Sequence, residues 1–246
     1  MDAELKQQAK QIVGFGIAKI VGNYSDNALL INACYVASDR YRTLAETNGL
    51  STVQGIPEDL RLDQEIDVQY KNEELVERYT DEVLQVILRN YVVVSVSIVD
   101  AVLEELYELF LKHYEGDISG SDVEKKVRSA WANDSLISYF EDPAKANLSS
   151  PAEFQQGFGE SFMRYKEVRI VRHTLVHSNG RLSERNRQQL LKYQEETPDE
   201  RKDAALINSP IIGGDGEIVL TINTILSIRQ YLDRFLTYVL KSIDNA

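Results

Sequence analysis

Cysteine is almost absent: Cys34 stands alone in 246 residues. No internal disulfide can form, which excludes a disulfide-stapled scaffold and suits a reducing compartment. The opening MDAELKQQAKQ is charged and polar, so it does not read as a secretory leader. Long hydrophobic runs are missing too. A bilayer span needs roughly 20 apolar residues, and the best candidate, Tyr91 to Leu103, is interrupted by Ser95, Ser97 and Asp100. The expectation is a cytoplasmic chain with no membrane partner. Positive charge is also short, with a formal net charge of −12, which argues against a broad basic surface for long nucleic acids. Histidine occurs only at His113, His173 and His177.

What is present is helical periodicity. Residues 2–21 read as a first helix, weakened by Gly14 and Gly16. Residues 26–46 read as a second, begun by Asp26 and stopped near Asn48-Gly49. The polar stretch 50–71, with Gly55 and Pro57, reads as a long loop. Residues 73–115 lack Gly and Pro and carry an apolar stripe from Val83 to Phe110 that includes Val86, Tyr91, Val94, Ile98 and Val102. The run VVVSVSIV inside it has strand propensity, but the stripe continues on both sides, so a helix is expected, ended by Gly116. Shorter helices are expected over 121–148. Ser150-Pro151-Ala152-Glu153 reads as a helix start with a capping box, Gly157 and Gly159 read as places where it breaks or bends, and a helix then runs to about Ser178 and stops at Asn179-Gly180. Ser183 begins another helix, ended by Pro198. SPIIGGDGEIVLT reads as a small hairpin turning at GGDG, and 221–243 as a last amphipathic helix with Arg229 as the polar exception. The fold class is all-α: a bundle whose 73–115, 151–178 and 221–243 helices form the core. The expected division is an N-terminal helical extension, 1–71, and a helical domain, 72–246.

Chemistry concentrates in EVRIVRHTLVHSNG. His173 and His177 are four apart, which places both rings on one helical face. Arg172 adjoins His173, Arg169 lies one turn before it, and Arg181 follows the helix end. Between Arg164 and Arg187 there are seven Lys or Arg residues against two acids, Glu167 and Glu184, so one segment opposes the sign of the whole. Imidazoles with guanidinium groups suit phosphate binding and proton transfer. Two histidines at this spacing could also be metal ligands, but no third ligand is evident, position 174 is Thr where HExxH would need Glu, and the flanking arginines repel a cation. No metal and no cofactor are expected. Cys34 reads as a core filler and His113 as a structural residue at a helix end. Trp131 and the tyrosines are scattered and suggest no stacking platform. Ser97, Asp100 and Glu104 progress along one face of the long helix. Asp100 is the choice for orienting an imidazole or Arg172, against the plainer reading of interhelical polar contacts.

The string Arg172-His173-Thr174-Leu175-Val176-His177 resembles the signature of the HEPN superfamily: an Arg, a polar residue, three more residues, then a His near the end of a late core helix. The resemblance covers roughly residues 75–243. It implies a helical bundle and, for many members, metal-independent RNA cleavage in toxin–antitoxin or anti-phage systems. Arg172, His173 and His177 would then be catalytic, with Asp100, Arg169, Asn179 and Arg181 binding or orienting the substrate. Such ribonucleases pair two motifs across a homodimer, so RNA, a second copy and an antitoxin or defence-system protein are the implied partners. The superfamily also has non-catalytic members that bind nucleotide, RNA or protein. In toxins silenced by a partner nucleotidyltransferase, a Tyr follows the motif His by two residues. Asn179 stands there, so that control is not implied.

Overall fold

The computed structural model describes residues 1–44, 49–51, 56–61 and 68–246, apart from the Asn133 side chain. The chain is all-α: α1 (Ala3–Thr43), α2 (Asn72–Thr80), α3 (Glu82–Tyr114), α4 (Gly120–Arg128), α5 (Ser135–Glu141), α6 (Phe158–His177), α7 (Glu184–Glu195) and α8 (Ile222–Asn245), with short 3-10 turns between them. The strands β1 (Gly49–Ser51) and β2 (Gln69–Lys71) pair antiparallel. The described residues fall into two compact units, one of residues 1–24 with 91–246 and one of 25–90.

In the larger unit the core forms where α3, α6 and α8 meet, as their apolar faces require. Tyr165 stacks on Phe235 at 4.6 Å between ring centres, Phe162 meets Phe235 edge-on, and Phe140 of α5 closes against Phe162. The hydroxyl of Tyr165 donates to the Val96 carbonyl at 3.1 Å, which joins α6 to α3. The buried side of α3 includes Tyr91, Val102 and Phe110 of the expected stripe, but Leu88, Val92, Val96, Val99 and Leu103 are enclosed as well, whereas Val86 is 66% exposed. The helix is apolar nearly all round, so periodicity alone cannot select its inner face. By length and composition the stretch 72–114 is apolar enough to cross a membrane, contrary to the expectation, and 56% of its most apolar window is buried in protein. Ser97 is no real interruption, because its hydroxyl donates to the Val93 carbonyl within the helix.

In the smaller unit Tyr41 and Tyr79 stack in parallel, Asn72 donates to the Leu44 carbonyl and Cys34 is buried. Burial raises the Cys34 thiol above its ordinary pKa, so it is an apolar filler as expected. Within the expected loop 50–71, residues 52–55 and 62–67 lie outside the described ones, as does Asn48; its ends are the paired strands and Glu58–Leu60 form a 3-10 turn.

Three expected boundaries are corrected. The helices 2–21 and 26–46 are one, α1, because Gly22 to Asp26 include no proline and Asn23 uses its side chain on Ser95 of α3 at 2.8 Å. The 73–115 helix breaks at Asp81, whose backbone leaves the helical region at φ −128°, ψ −77°. The start expected at Pro151, with Ser150 as its cap, lies seven residues later, at Phe158 with Gly157 as its cap. Ser150 is occupied as the acceptor of the Tyr238 hydroxyl, and Glu153 pairs with Lys241. The C-terminal stop is as expected: Asn179 and Gly180 take φ of +47° and +81°, and the Gly180 amide donates back to the Thr174 carbonyl. Ser183 and Thr221 cap α7 and α8. The hairpin before α8 is a minimal one, joined at Ile212 and Ile218.

The two glycines of α1 differ sharply. A methyl group at Gly16 would lie 2.4 Å from Cγ2 of Val102, a stiff β-branched side chain, whereas Gly14 has open space. We therefore expect Gly14→Ala to stabilise by up to about 1 kcal/mol through helix propensity. Gly16→Ala should cost about 1–3 kcal/mol from overpacking, partly offset by the same propensity gain. Urea unfolding of both variants checks the opposite signs.

Candidate functional site

The site is built on the last turns of α6. Leu175 is buried and Thr174 is fully enclosed, while His173, Val176 and His177 face outward. The enclosed Thr174 hydroxyl accepts from the Asn186 side chain of α7 at 3.3 Å, which fixes the helix end against α7. The two imidazole rings lie side by side, 4.6 Å between centres. Arg172 is half-buried and donates from Nε to the Ser97 hydroxyl of α3 at 3.1 Å. Its two terminal nitrogens have no partner among the described residues, so the guanidinium is anchored at one edge and open at the other.

A polar seam on α3 supports this helix. Asp100, 8% exposed, accepts from Arg169 Nε at 2.7 Å and from the Tyr165 hydroxyl at 2.8 Å. Trp131 Nε1 donates to Glu104 at 2.9 Å, and the Arg169 guanidinium lies 3.7 Å over the indole ring. Ser97 and Asp100 thus make interhelical polar contacts to α6, and Glu104 meets the turn before α5. Asp100 meets Arg169 rather than an imidazole or Arg172, and Ser97 takes Arg172. Asn179 serves through its backbone in the helix cap. Arg181 forms an exposed ion pair with Asp215 at 3.2 Å, away from the two imidazoles in any contact. His113 sits beside Asp2 at 3.4 Å, in the structural role expected.

Beside the motif lies a cavity of about 380 Å³, lined by Lys166, Arg169, Arg172, His173, Arg185 and Tyr193 among others. Lys166 is neutralised by Asp134 at 2.5 Å and Arg169 by Asp100. Arg172 and Arg185 have no carboxylate partner among the described residues. The His173 ring is held below its ordinary value of 6.5, first by partial desolvation and then by the charges of His177, Arg172, Arg185 and Arg169. It is therefore neutral at pH 7 and able to accept a proton. Sequence reading did not single out Lys166, Arg185 or Tyr193, although the local excess of basic residues already contained the first two. Among the described residues no three His, Cys, Asp or Glu side chains are arranged to hold a metal.

Glu104 is raised above the ordinary carboxylate value, chiefly by burial and against the hydrogen bond from Trp131. Its contribution to stability is therefore full below the unfolded value of about 4.5 and is lost as pH rises through the higher folded value. Glu104→Gln keeps an acceptor for Trp131 without the buried charge. Its melting temperature at pH 7 should equal or exceed that of the parent, and the advantage should vanish in acid. A loss at pH 7 would show that the charge itself is needed beside Arg169.

No family model matches the chain, and no curated protein or solved structure matches it.

Proposed function

We propose that the chain is a metal-independent endoribonuclease of the HEPN type, serving as a toxin or anti-phage effector on cytoplasmic RNA. One observation carries this reading: Arg172, His173 and His177 share the exposed end of one helix, beside an arginine-lined cavity in an acidic protein. RNA supplies its own nucleophile. An imidazole takes the proton of the ribose 2′-hydroxyl, whose oxygen bonds to the adjacent phosphorus. The bond from phosphorus to the 5′-oxygen breaks, and that oxygen receives a proton. The open edge of Arg172 meets the charge on the phosphoryl oxygens. The products are a 2′,3′-cyclic phosphate and a 5′-hydroxyl.

Attack and departure occur on opposite sides of phosphorus. Two imidazoles side by side on one face therefore suit one of the two proton transfers, and a two-fold homodimer would supply the other from its second motif. The test is incubation of the pure protein with single-stranded RNA in EDTA. Cleavage leaving cyclic-phosphate ends supports the reading. Activity lost in EDTA and restored by magnesium overturns it. Binding without cleavage selects a non-catalytic RNA- or nucleotide-binding module, which the net charge of −12 favours.

A further inference from the structure

The cavity beside the motif adjoins a second, of about 760 Å³. The two share Trp131, Asp134, Lys166, Gln189 and Tyr193 in their walls, so they lie next to each other along α6, α7 and the turn before α5. Their chemistry differs. The motif end carries the two unpaired guanidinium groups of Arg172 and Arg185. The far end has the apolar side chains of Ile137, Met163 and Pro198 beside Trp131 and Tyr193. Carboxylates at that end are already matched: Glu160 by Nε and Nη2 of Arg201, Asp134 by Lys166 and Glu196 by Lys192. They do not make the recess repel an anion. Its floor is firm, because Tyr193 packs with Ile170 and Leu190 in a small core between α6 and α7.

We infer that these adjoining cavities are a nucleotide subsite, with phosphate at the Arg172–Arg185 mouth and the base in the recess lined by Trp131 and Tyr193. This rests on the ribonuclease reading only for its role, which is to hold the nucleotide flanking the cleaved bond. Each cavity taken singly is of suitable size, since small-molecule sites span roughly 300–1,000 Å³. The polarity also runs the right way: an anion wants the unmatched cations, and a flat aromatic base wants Tyr193, the edge of Trp131 and the apolar wall. Gln189 stands at the throat between the two ends, donating to the Tyr193 hydroxyl at 2.7 Å.

Two reporters are built in. Trp131 is the only tryptophan, so its emission reads occupancy of the recess. His173 feels Arg169, Arg172 and His177 of α6 and Arg185 of α7, and the Lys166–Asp134 pair lines the same cavity. An anion that neutralises the arginines must raise the His173 pKa. The experiment titrates the full chain, parent and His177→Ala, with adenosine 3′-monophosphate, adenosine and inorganic phosphate. It follows Trp131 fluorescence and the His173 NMR titration. The expected result is saturable binding of the nucleotide at least about tenfold tighter than either part alone, with His173 moving up. Arg185→Gln should weaken nucleotide and phosphate but not adenosine. Gln189→Trp, which fills the throat from an exposed position, should weaken nucleotide and adenosine but not phosphate, and circular dichroism verifies its fold. Absence of a saturable change by about 10 mM nucleotide overturns the subsite. Phosphate binding as tightly as the nucleotide also overturns it. Nucleotide binding without RNA cleavage retires the ribonuclease reading and leaves the subsite standing. Cleavage that Gln189→Trp does not affect does the reverse.

Discussion

His177→Ala should lower RNA cleavage by about 10²–10⁴-fold, the usual worth of a positioned proton-transfer group. The fold should be nearly unaffected, because the ring is exposed and makes no hydrogen bond among the described residues, and such surface changes usually stay within about 0.5 kcal/mol. Arg172→Lys keeps the charge but loses the Nε donor to Ser97 and the planar fork. A charged hydrogen bond of about 1.5–3 kcal/mol predicts a loss of roughly 10- to 100-fold. His113→Ala, remote from the motif, is the control and should cleave like the parent. A pH profile adds a further check. If His173 is the base, activity is kept down to its depressed pKa and falls in acid below the ordinary value of 6.5. In His173→Ala that acid limb should disappear. A folded His177→Ala protein that cleaves at the parental rate would refute the assignment.

The second large effect concerns stability. Arg164 and Glu167 form a buried ion pair on α6, with side chains only 6% and 3% exposed. Both carboxylate oxygens accept from Arg164 at 3.0 Å. Burial pushes the Glu167 carboxyl up, opposed by the Arg164 charge and its hydrogen bonds, so the pair's mutual contacts offset a real desolvation cost. Glu167→Ala leaves Arg164 buried with only the Arg201 carbonyl at 3.2 Å. We expect a loss of about 3–5 kcal/mol. Removing both charges together, as Arg164→Met with Glu167→Leu, should recover most of it. The 199–206 segment is held to α6 by the Arg201 carbonyl and the Leu206 amide, which donates to Glu167. Hydrogen exchange in that segment should rise in the single variant more than elsewhere. A loss under about 1 kcal/mol would show the pair to be dispensable.

Local signals were the legible ones. Asn179-Gly180, Ser183 and Thr221 act on backbone groups within a few residues, so the end of α6 and the starts of α7 and α8 follow from neighbours in sequence. Long-range partners were not legible. Nothing local in Asn23 points to Ser95, so α1 looked divided. Ser150 and Glu153 read as caps because their actual partners, Tyr238 and Lys241, are 88 residues away. The same holds at the site. The spacing of His173 and His177 put both rings on one face, and they are there, while Arg172, next to His173 in sequence, turns toward Ser97 of α3. Which arginine Asp100 meets, and that Trp131 reaches Arg169, depends on how α3, α6 and the turn before α5 pack. The buried Arg164–Glu167 pair was hidden inside a segment whose excess of basic residues pointed to phosphate binding instead.

The cap at the end of α6 ties His177 to a distant stretch of chain. The Gly180 carbonyl accepts from Ile218, and Leu182 donates to the Gly216 carbonyl, with Gly180 and Gly216 both in the left-handed region at φ +81° and +82°. Side chains other than glycine strain there, and the strain at either glycine would tilt the last turn that carries the imidazole. Across descendants of this sequence, therefore, positions 180 and 216 should be inherited as a pair with position 177. Lineages that have abandoned His177 should be the ones free to lengthen or lose the GGDG turn.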